Sequence, residues 1–318
     1  MATNPPLPFA ASLLGNAHLS LAFMHFEGEL EKELLADGRP PLWQHGRLIL
    51  HTAGLAPLWA ATVWLEPELV TFKSIGEAVK LLTSRGLFWG QVPGACHRRA
   101  ALIAQGLRPF RRMRYLQTPR SAGGWLVLDE NTMLISARCS HPQPNGCCEF
   151  EEDKTSPPSR AYLKLWELFT VHGFRPVAGE RVFDMGACPG GWTWVLAGLG
   201  CRVVAVDKAP LDPVIAAMPE VEVLQDSAFG LRPASCGKVD WFFSDIICYP
   251  EKLLQLVRRW REEGSVSNFV CTVKLQGPEV EATLASFRDI PDSRLIHLYA
   301  NKHEVTWVLL GTKPPELN

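Results

Sequence analysis

The sequence lacks several features that would assign it to a specialised class of protein. The net charge is only -1 over 318 residues, which argues against a wholly basic nucleic-acid binder but leaves a local basic face open. No stretch approaches the run of about 18 apolar residues that a membrane span requires. The apolar start of the chain has no basic residues ahead of it and contains prolines, so we expect no signal peptide.

The cysteine pattern also argues against a disulfide framework and against a zinc site. The nine cysteines follow no disulfide spacing, which indicates a reducing compartment and predicts a cytoplasmic location. Cys139, His141, Cys147 and Cys148 lie close together in the sequence but lack the paired C-x-x-C elements of zinc sites. We therefore expect loop cysteines without a metal ion.

The length and composition predict two ordinary globular domains. Hydrophobic residues make up 47% of the chain and charged residues 20%. A segment rich in proline and acidic residues predicts a linker over 141–157. This interpretation gives an N-terminal domain over 1–140 and a C-terminal domain over 158–318. In the N-terminal part, strand patterns occur in "HLSLAFMHF", "GRLILHTAG" and "LWAATVWL", and helix patterns occur in "EGELEKELLAD", "SIGEAVKLLTSRG" and "RRAALIAQGL". A hairpin is predicted around Asp129 to Asn131, so this part predicts a mixed α/β domain.

The C-terminal part has a regular rhythm of seven short apolar segments, most of them separated by helices or turns. This alternation is typical of an α/β fold with a mostly parallel sheet covered by helices on both faces. The last two segments are close in sequence and predict an antiparallel pair at one edge. The fold class is therefore Rossmann-like.

A glycine-rich loop follows the first of these strands, in "VFDMGACPGGWTW". In such sheets, ligands bind beyond the carboxyl ends of the strands. The glycines allow close backbone approach, and a helix starting near Trp192 directs its free N–H groups at the ligand. The candidate cofactor-binding residues of this loop are Gly186, Cys188, Pro189, Gly190, Gly191 and Trp192.

The loop matches neither the G-x-G-x-x-G dinucleotide fingerprint nor a phosphate loop ending in G-K-[ST], and it contains no lysine. Asp207 ends the second strand and is placed to bind ribose hydroxyls, while Asp226 ends the third and is placed to bind an adenine amino group. Acids repel phosphate but tolerate a sulfonium, so the pattern favours S-adenosylmethionine. For either acid alone, a solvated strand end is the better interpretation, whereas the glycine-rich loop and two acids at three successive strand ends favour a cofactor site.

At this point the sequence resembles a known family. "DMGACPGGWTW", with "SRAYLKL" before it and "SDI", "TVKL" and "HEVTW" after it, is similar to the FtsJ-like ribose 2'-O-methyltransferases, and most of all to the bacterial 23S ribosomal RNA methyltransferase M family. The resemblance covers about residues 158–310. It implies a class I methyltransferase domain and a catalytic set formed by Lys164, Asp245, Lys274 and Glu304, with Asp245 also beside the cofactor. It further implies an N-terminal THUMP-type RNA-binding domain, of which residues 1–140 would be a divergent version.

The residue types suit this chemistry. A ribose hydroxyl must lose its proton as it attacks the methyl group, and a lysine can accept that proton only when its pKa falls well below about 10.4. Our hypothesis is that Lys274 is the base and that Lys164 steers the hydroxyl, while both carboxylates orient the lysines. The alternatives are that Lys164 is a surface lysine of an amphipathic helix and that Glu304 is a solvated turn acid.

One segment of the N-terminal part concentrates positive charge. Seven arginines and no acid occur between His97 and Leu128, and Phe110 and Tyr115 lie among them. Arginine pairs with phosphate, and aromatic rings stack on bases. We expect RNA contacts from Arg108, Arg111, Arg112 and Arg114, although a charged run is also consistent with an ordinary solvated face.

Three functions remain open from the sequence. The leading interpretation is a methyltransferase that acts on the ribose of ribosomal RNA. The second is a methyltransferase for a small molecule or a protein, in which the two lysines are incidental. The third is a non-catalytic RNA-binding assembly factor that retains the fold.

Overall fold

The structure, a computed structural model, describes residues 9–117, 119–263, 265–277 and 280–311. The chain divides into two compact units, Met1–Glu149 and Phe150–Asn318. The division falls inside the predicted linker, 141–157. The predicted role of residues 1–140 as a THUMP-like RNA-binding domain stays a prediction.

The first unit is built from two four-stranded sheets and three α-helices. Its strands are β1 (Ala17–Ala22), β2 (Trp43–His45), β3 (Leu48–Thr52), β4 (Ala60–Trp64), β5 (Pro67–Thr71), β6 (Phe88–Gln91), β7 (Ala122–Val127) and β8 (Thr132–Ser136), and its helices are α1 (Glu27–Ala36), α2 (Ile75–Thr83) and α3 (His97–Gln105). One sheet has the order β2-β3-β1-β4 with antiparallel neighbours. The other has the order β5-β8-β7-β6 and includes a parallel pair, β6 with β7.

Local sequence explains where α2 begins and how α2 and α3 pack in this unit. Helix α2 begins after Ser74, whose hydroxyl accepts the Glu77 N–H and caps the helix. Ala78 and Leu82 of α2 pack with Ile103 of α3 against Trp125, which is fully buried on β7. These contacts attach both helices to one face of the second sheet.

The second unit is built around a single seven-stranded sheet. Its strands are β9 (Arg181–Met185), β10 (Arg202–Val206), β11 (Val221–Leu224), β12 (Lys238–Ser244), β13 (Ser265–Lys274), β14 (Ser293–Ile296) and β15 (Glu304–Leu310), and its helices are α4 (Tyr162–Val171), α5 (Gly191–Gly198), α6 (Pro213–Ala216), α7 (Pro250–Glu263) and α8 (Val280–Arg288). All seven strands coincide with the predicted apolar segments. Their central residues, such as Val182, Phe242 and Val270, are almost completely buried, as expected for a sheet covered on both faces.

The strand order is β11-β10-β9-β12-β13-β15-β14. Strands β11, β10, β9, β12 and β13 are parallel, and β15 runs antiparallel to both of its neighbours. The chain moves to one side of β9 and then returns to the other, so the order reverses between β9 and β12. This reversal is the switch point at which Rossmann-like sheets bind ligands beyond the carboxyl ends of the strands.

The predicted fold class is confirmed, and so is the antiparallel pairing of the last two strands. Within this pair, β15 lies next to β13, and β14 forms the edge of the sheet. Within the described parts of the chain, no helix combines the length and the apolar character needed to cross a lipid bilayer.

Candidate active site

The four predicted catalytic residues come from four different elements and meet at the carboxyl edge of the large sheet. Lys164 lies in the first turn of α4, Asp245 directly follows β12, and Lys274 is the last residue of β13. Because β15 runs against β13, its first residue, Glu304, is paired in register with Lys274. The topology of the sheet therefore places these side chains together.

Their charged groups form a closed ring in which positive and negative charges alternate. Lys164 Nζ lies 3.0 Å from both carboxylate oxygens of Asp245 and 2.6 Å from Glu304 Oε1. Lys274 Nζ lies 2.8 Å from Asp245 Oδ1 and 2.6 Å from Glu304 Oε2. Each ammonium group thus bridges both carboxylates, and the four formal charges cancel.

Partial burial makes these interactions stronger than those of surface ion pairs, because solvent screens them less. The four side chains retain between 10% and 18% of their accessible surface. Burial alone would raise the pKa of Asp245, but Lys164 and Lys274 outweigh it and lower that pKa. Burial alone would lower the pKa of Lys274, but Asp245 and Glu304 outweigh it and raise that pKa.

The two alternative interpretations of these residues are wrong. Lys164 is not a surface lysine, because every residue of α4 from Lys164 to Phe169 is buried. Glu304 is not a solvated turn acid, because it begins β15 and is only 9% exposed.

The glycine-rich loop connects β9 to α5 beside this ring. Gly190 caps α5 with φ at 115°, and Gly186 has φ at 82°, both in the region that favours glycine. A Cβ atom on Gly186 would lie 2.7 Å from Ile246 Cγ1 and 3.1 Å from Ile246 Cα. Ile246 follows Asp245, so the loop after β9 packs directly on the loop that carries Asp245.

Asp207 holds the glycine-rich loop in place. Its Oδ2 accepts the N–H of Cys188 at 3.0 Å, and its Oδ1 accepts the N–H of Ala209 at 2.9 Å. Each carboxylate oxygen retains a further lone pair, so the predicted contact with ribose hydroxyls stays compatible with this geometry. Asp226 is exposed, lies two residues beyond β11, and accepts the N–H of Ser227 at 2.6 Å.

The remaining candidates of the loop differ in how their side chains are used. Pro189 is exposed, and Gly191 opens α5. Trp192 is buried, its Nε1 donates to the Ala161 carbonyl at 3.0 Å, and its ring meets Phe243 edge-on. Any contribution of Trp192 to a ligand would therefore come from its backbone N–H in the first turn of α5.

Sequence reasoning missed Asp184, in the strand that leads into the loop. Asp184 is 1% exposed, and its Oδ2 accepts the hydroxyl of Thr193 at 2.7 Å, which links β9 to α5. Its Oδ1 is buried and has no hydrogen-bond partner among the described residues. Burial raises the pKa of Asp184 to about 7. An acid inside an apolar strand, in "RVFDMG", was the available signal.

A second missed residue, Glu167, lies one turn after Lys164 on α4. It is 3% exposed, and its two carboxylate oxygens accept the backbone N–H groups of Tyr299 at 2.8 Å and Ala300 at 3.3 Å. Residues 299 and 300 belong to the loop that precedes Glu304. Glu167 therefore connects the helix that carries Lys164 to the loop that leads into Glu304.

In the first unit, the predicted RNA-binding arginines follow α3 in a segment without helix or regular strand. Arg108, Arg111, Arg112 and Arg114 are all exposed. The guanidinium of Arg108 lies 5.4 Å from the centre of the Phe88 ring, and that of Arg112 lies 3.6 Å from a carboxylate oxygen of Glu149. The segment is fixed at Met113, which is buried and donates its N–H to the Glu149 carbonyl.

A Rossmann-like sheet with a glycine-rich loop after β9 and acids after β10, β11 and β12 is the architecture of the methyltransferase class of α/β domains. Residues 157–285 match the model of the FtsJ-like methyltransferase family. The matched range includes Lys164, Asp245 and Lys274, while Glu304 lies beyond it.

Three curated relatives carry the name ribosomal RNA large subunit methyltransferase M. The one from Halorhodospira halophila is 38% identical over 121 residues, which cover 37% of this chain and 35% of the relative. The one from Azoarcus sp. is 31% identical over 209 residues, which cover 60% of this chain and 55% of the relative. The one from Alkalilimnicola ehrlichii is 29% identical over 239 residues, which cover 72% of this chain and 61% of the relative. The chain therefore spans from about a third to less than two thirds of the length of these relatives.

Proposed function

We propose that the protein is an S-adenosylmethionine-dependent methyltransferase that acts on a ribose 2'-hydroxyl of RNA, with 23S ribosomal RNA as its substrate. The observation that carries this proposal is the ring of Lys164, Asp245, Lys274 and Glu304 beside the glycine-rich loop. Two amines at the acceptor position suit a reaction in which a weakly acidic hydroxyl must be held and deprotonated.

The charges of the crevice support the choice of cofactor. Asp207, Asp226 and Asp245 follow three strands at the carboxyl edge, and the loop over 186–191 contains no basic side chain. This donor set would repel a polyphosphate and accept a nucleoside that carries a positive charge. S-adenosylmethionine, when bound, supplies a methyl group activated by a sulfonium. The glycine-rich loop, the N–H groups of α5 and the two acids Asp207 and Asp226 would hold it.

The residues of the ring divide the remaining work. Lys164 binds and orients the ribose hydroxyl, and Lys274 accepts its proton as the oxygen becomes a nucleophile. Asp245 and Glu304 hold the two amines in position and balance their charge. This arrangement reduces the entropy cost of bringing hydroxyl and amine together.

The raised pKa of Lys274 sets a condition on this assignment. Asp245 and Glu304 keep Lys274 protonated at neutral pH, so its neutral form is scarce until another cation enters the crevice. A sulfonium close to Asp245 would compete for that carboxylate and lower the pKa of Lys274. With a positively charged cofactor bound beside Asp245, Lys274 would therefore lose its proton more readily and could act as the base.

The proposal of an RNA substrate draws on two observations. The curated relatives are named as ribosomal RNA methyltransferases, and the exposed arginines of the first unit offer contacts for phosphates. The choice among the three functions left open by the sequence requires an experiment on methyl transfer.

The test is to incubate the protein with labelled cofactor and total RNA, and to map any 2'-O-methyl group. We expect one modified ribose in the large ribosomal RNA. We also expect Lys274→Ala and Asp245→Asn to reduce transfer by at least about 100-fold, the range of a lost general base. Transfer to a protein or a small molecule instead would support the second function, and cofactor-independent RNA binding without transfer would support the third.

A matched control uses another lysine of the same sheet. Lys238 pairs with Asp240 at 3.0 Å at the opposite end of β12, and its side chain is exposed. Lys238→Ala should keep full transfer. A Lys274→Ala protein that binds cofactor normally and still transfers at the wild-type rate would refute Lys274 as the base.

A further inference from the structure

We propose that Tyr249, together with Ile247, forms a platform on which a base of the substrate RNA stacks, next to the ring of charged residues. The inference rests on the proposed function, because it assigns the position of the nucleotide whose ribose the ring would address. It adds a binding site for a nucleobase, and it makes Tyr249 a determinant of substrate binding.

The exposure of this loop is unusual for its position. Ile247 is 84% exposed and Tyr249 is 56% exposed, and both lie within four residues of Asp245. Single exposed apolar side chains are common on protein surfaces and need no explanation. Two large ones in three residues, at the rim of a polar site, indicate a surface that becomes covered by a ligand.

Tyr249 lies in the loop after β12, and its ring approaches the loop after β13. Its carbonyl accepts the N–H groups of Lys252 at 3.1 Å and Leu253 at 3.3 Å, which fixes its backbone to the start of α7. A Cβ atom on Gly277 would lie 3.1 Å from Tyr249 Cδ1 and 3.4 Å from Cε1. Gly277 follows Lys274 by three residues, so the ring packs on the backbone of the loop after β13. Its exposed surface remains available for stacking.

The chemistry of the substrate identifies the occupant. In a ribonucleotide, the 2'-oxygen and the base are attached to neighbouring carbons of the same ribose. When the 2'-oxygen lies at Lys274, the base of that nucleotide is only a few bonds away, so this base or the next one in the strand can reach the loop that carries Tyr249. Tyr249 presents an aromatic face there, and Ile247 adds apolar surface. Stacking of this kind tolerates any base, because each base has a π-face.

The experiment compares Tyr249→Ala with Tyr249→Phe. Methyl transfer is measured on total RNA, cofactor affinity by calorimetry, and RNA affinity by fluorescence anisotropy with a short labelled oligoadenylate. We expect Tyr249→Ala to weaken oligoadenylate binding and to raise the KM for RNA by about tenfold, a loss typical of one stacked base. Tyr249→Phe should keep the wild-type oligoadenylate affinity and KM for RNA, because it retains the ring. The cofactor Kd should stay unchanged in Tyr249→Ala and in Tyr249→Phe.

Val177→Ala is the matched control, because Val177 is a large exposed apolar residue that precedes β9, at the opposite edge of the sheet. It should leave all three measurements unchanged. Unchanged oligoadenylate affinity in Tyr249→Ala would overturn the inference, as would an equal loss of cofactor affinity. The anisotropy result stands by itself, so an absence of methyl transfer in the wild-type protein would count against the proposed function and not against the platform.

Discussion

At the scale of single residues, the carboxyl group of Asp184 has an environment that differs from that of Asp245. Asp245 lies between two lysines, which lower its pKa against the effect of burial. Asp184 is almost fully buried, receives one hydrogen bond from Thr193, and has no lysine or arginine as a hydrogen-bond partner among the described residues. Burial therefore dominates and raises its pKa to about 7.

This raised pKa predicts how stability changes with pH. The folded protein binds the proton of Asp184 more tightly than the unfolded chain does. Protonated Asp184 therefore contributes to the free energy of unfolding, and this contribution is complete below the unfolded pKa of about 4. It is lost as the pH rises through about 7, and the loss can approach roughly 4 kcal/mol. Asp184→Asn removes the titration. Relative to the wild type, the variant should gain unfolding free energy between pH 5 and pH 8, measured by urea denaturation.

Asp240→Asn serves as the control for this prediction. The N–H of Arg181 lowers the pKa of Asp240, so the sign of its contribution is opposite, with stability present above the unfolded pKa and lost as pH falls. Its asparagine variant should therefore gain nothing on the wild type between pH 5 and pH 8. If Asp184→Asn and the wild type changed in parallel over this range, the raised pKa would be contradicted.

At the scale of secondary-structure elements, apolar patterning predicted most of the fold. It predicted the seven strands of the large sheet, the hairpin of β7 and β8, and the helices α1, α2 and α3, because each of these elements has a continuous or periodic apolar pattern. It missed β2, β5 and β6. Strand β2 has only three residues, β5 begins with a proline, and β6 contains a glycine. Their pairing depends on neighbouring strands more than on their own sequences.

The candidate site was partly predictable because apolar patterning locates the ends of the strands. Asp245 and Lys274 end apolar strands, so the parallel arrangement of those strands places them at one edge. The burial of Lys164 was not predictable, since it depends on α4 being covered on nearly all sides. Glu167 was also missed, because its partners are backbone N–H groups more than 130 residues away.

Glu167 leads to a prediction about the connection between α4 and the loop before β15. Glu167→Ala leaves the N–H groups of Tyr299 and Ala300 without this acceptor, which costs about 1–3 kcal/mol of unfolding free energy. The loop then holds Glu304 less firmly. We expect a lower kcat for methyl transfer with little change in cofactor affinity, and partial recovery in Glu167→Gln.

Glu180 provides the comparison for Glu167→Ala. It accepts the Val177 N–H at 2.8 Å and the Trp241 Nε1–H at 3.0 Å, and it directly precedes β9, at the other edge of the same sheet. Glu180→Ala should lose comparable stability but retain its kcat. Equal losses of kcat in the two variants would reduce Glu167 to a general structural role.

At the scale of the whole molecule, charge is distributed unevenly along a chain that is nearly neutral. The net charge is -1, yet the segment from His97 to Leu128 contains seven arginines and no acid. The candidate catalytic ring of the second unit is neutral by pairing. The two units thus differ in charge, with a cluster of exposed arginines in the first and a ring of paired charges in the second.

This division predicts which variants change the salt dependence of RNA binding. Each arginine that contacts a phosphate releases counterions, so it adds about one to the slope of log affinity against log salt concentration. Arg111→Glu with Arg112→Glu should lower RNA affinity and reduce this slope by about two, without changing cofactor affinity. Arg85→Glu with Arg138→Glu alters the net charge equally, at arginines that pair with Glu68 and Glu66 in the same unit. Equal slopes for the two double variants would make the segment an ordinary solvated surface, whereas a loss confined to the first would locate the path of the RNA backbone.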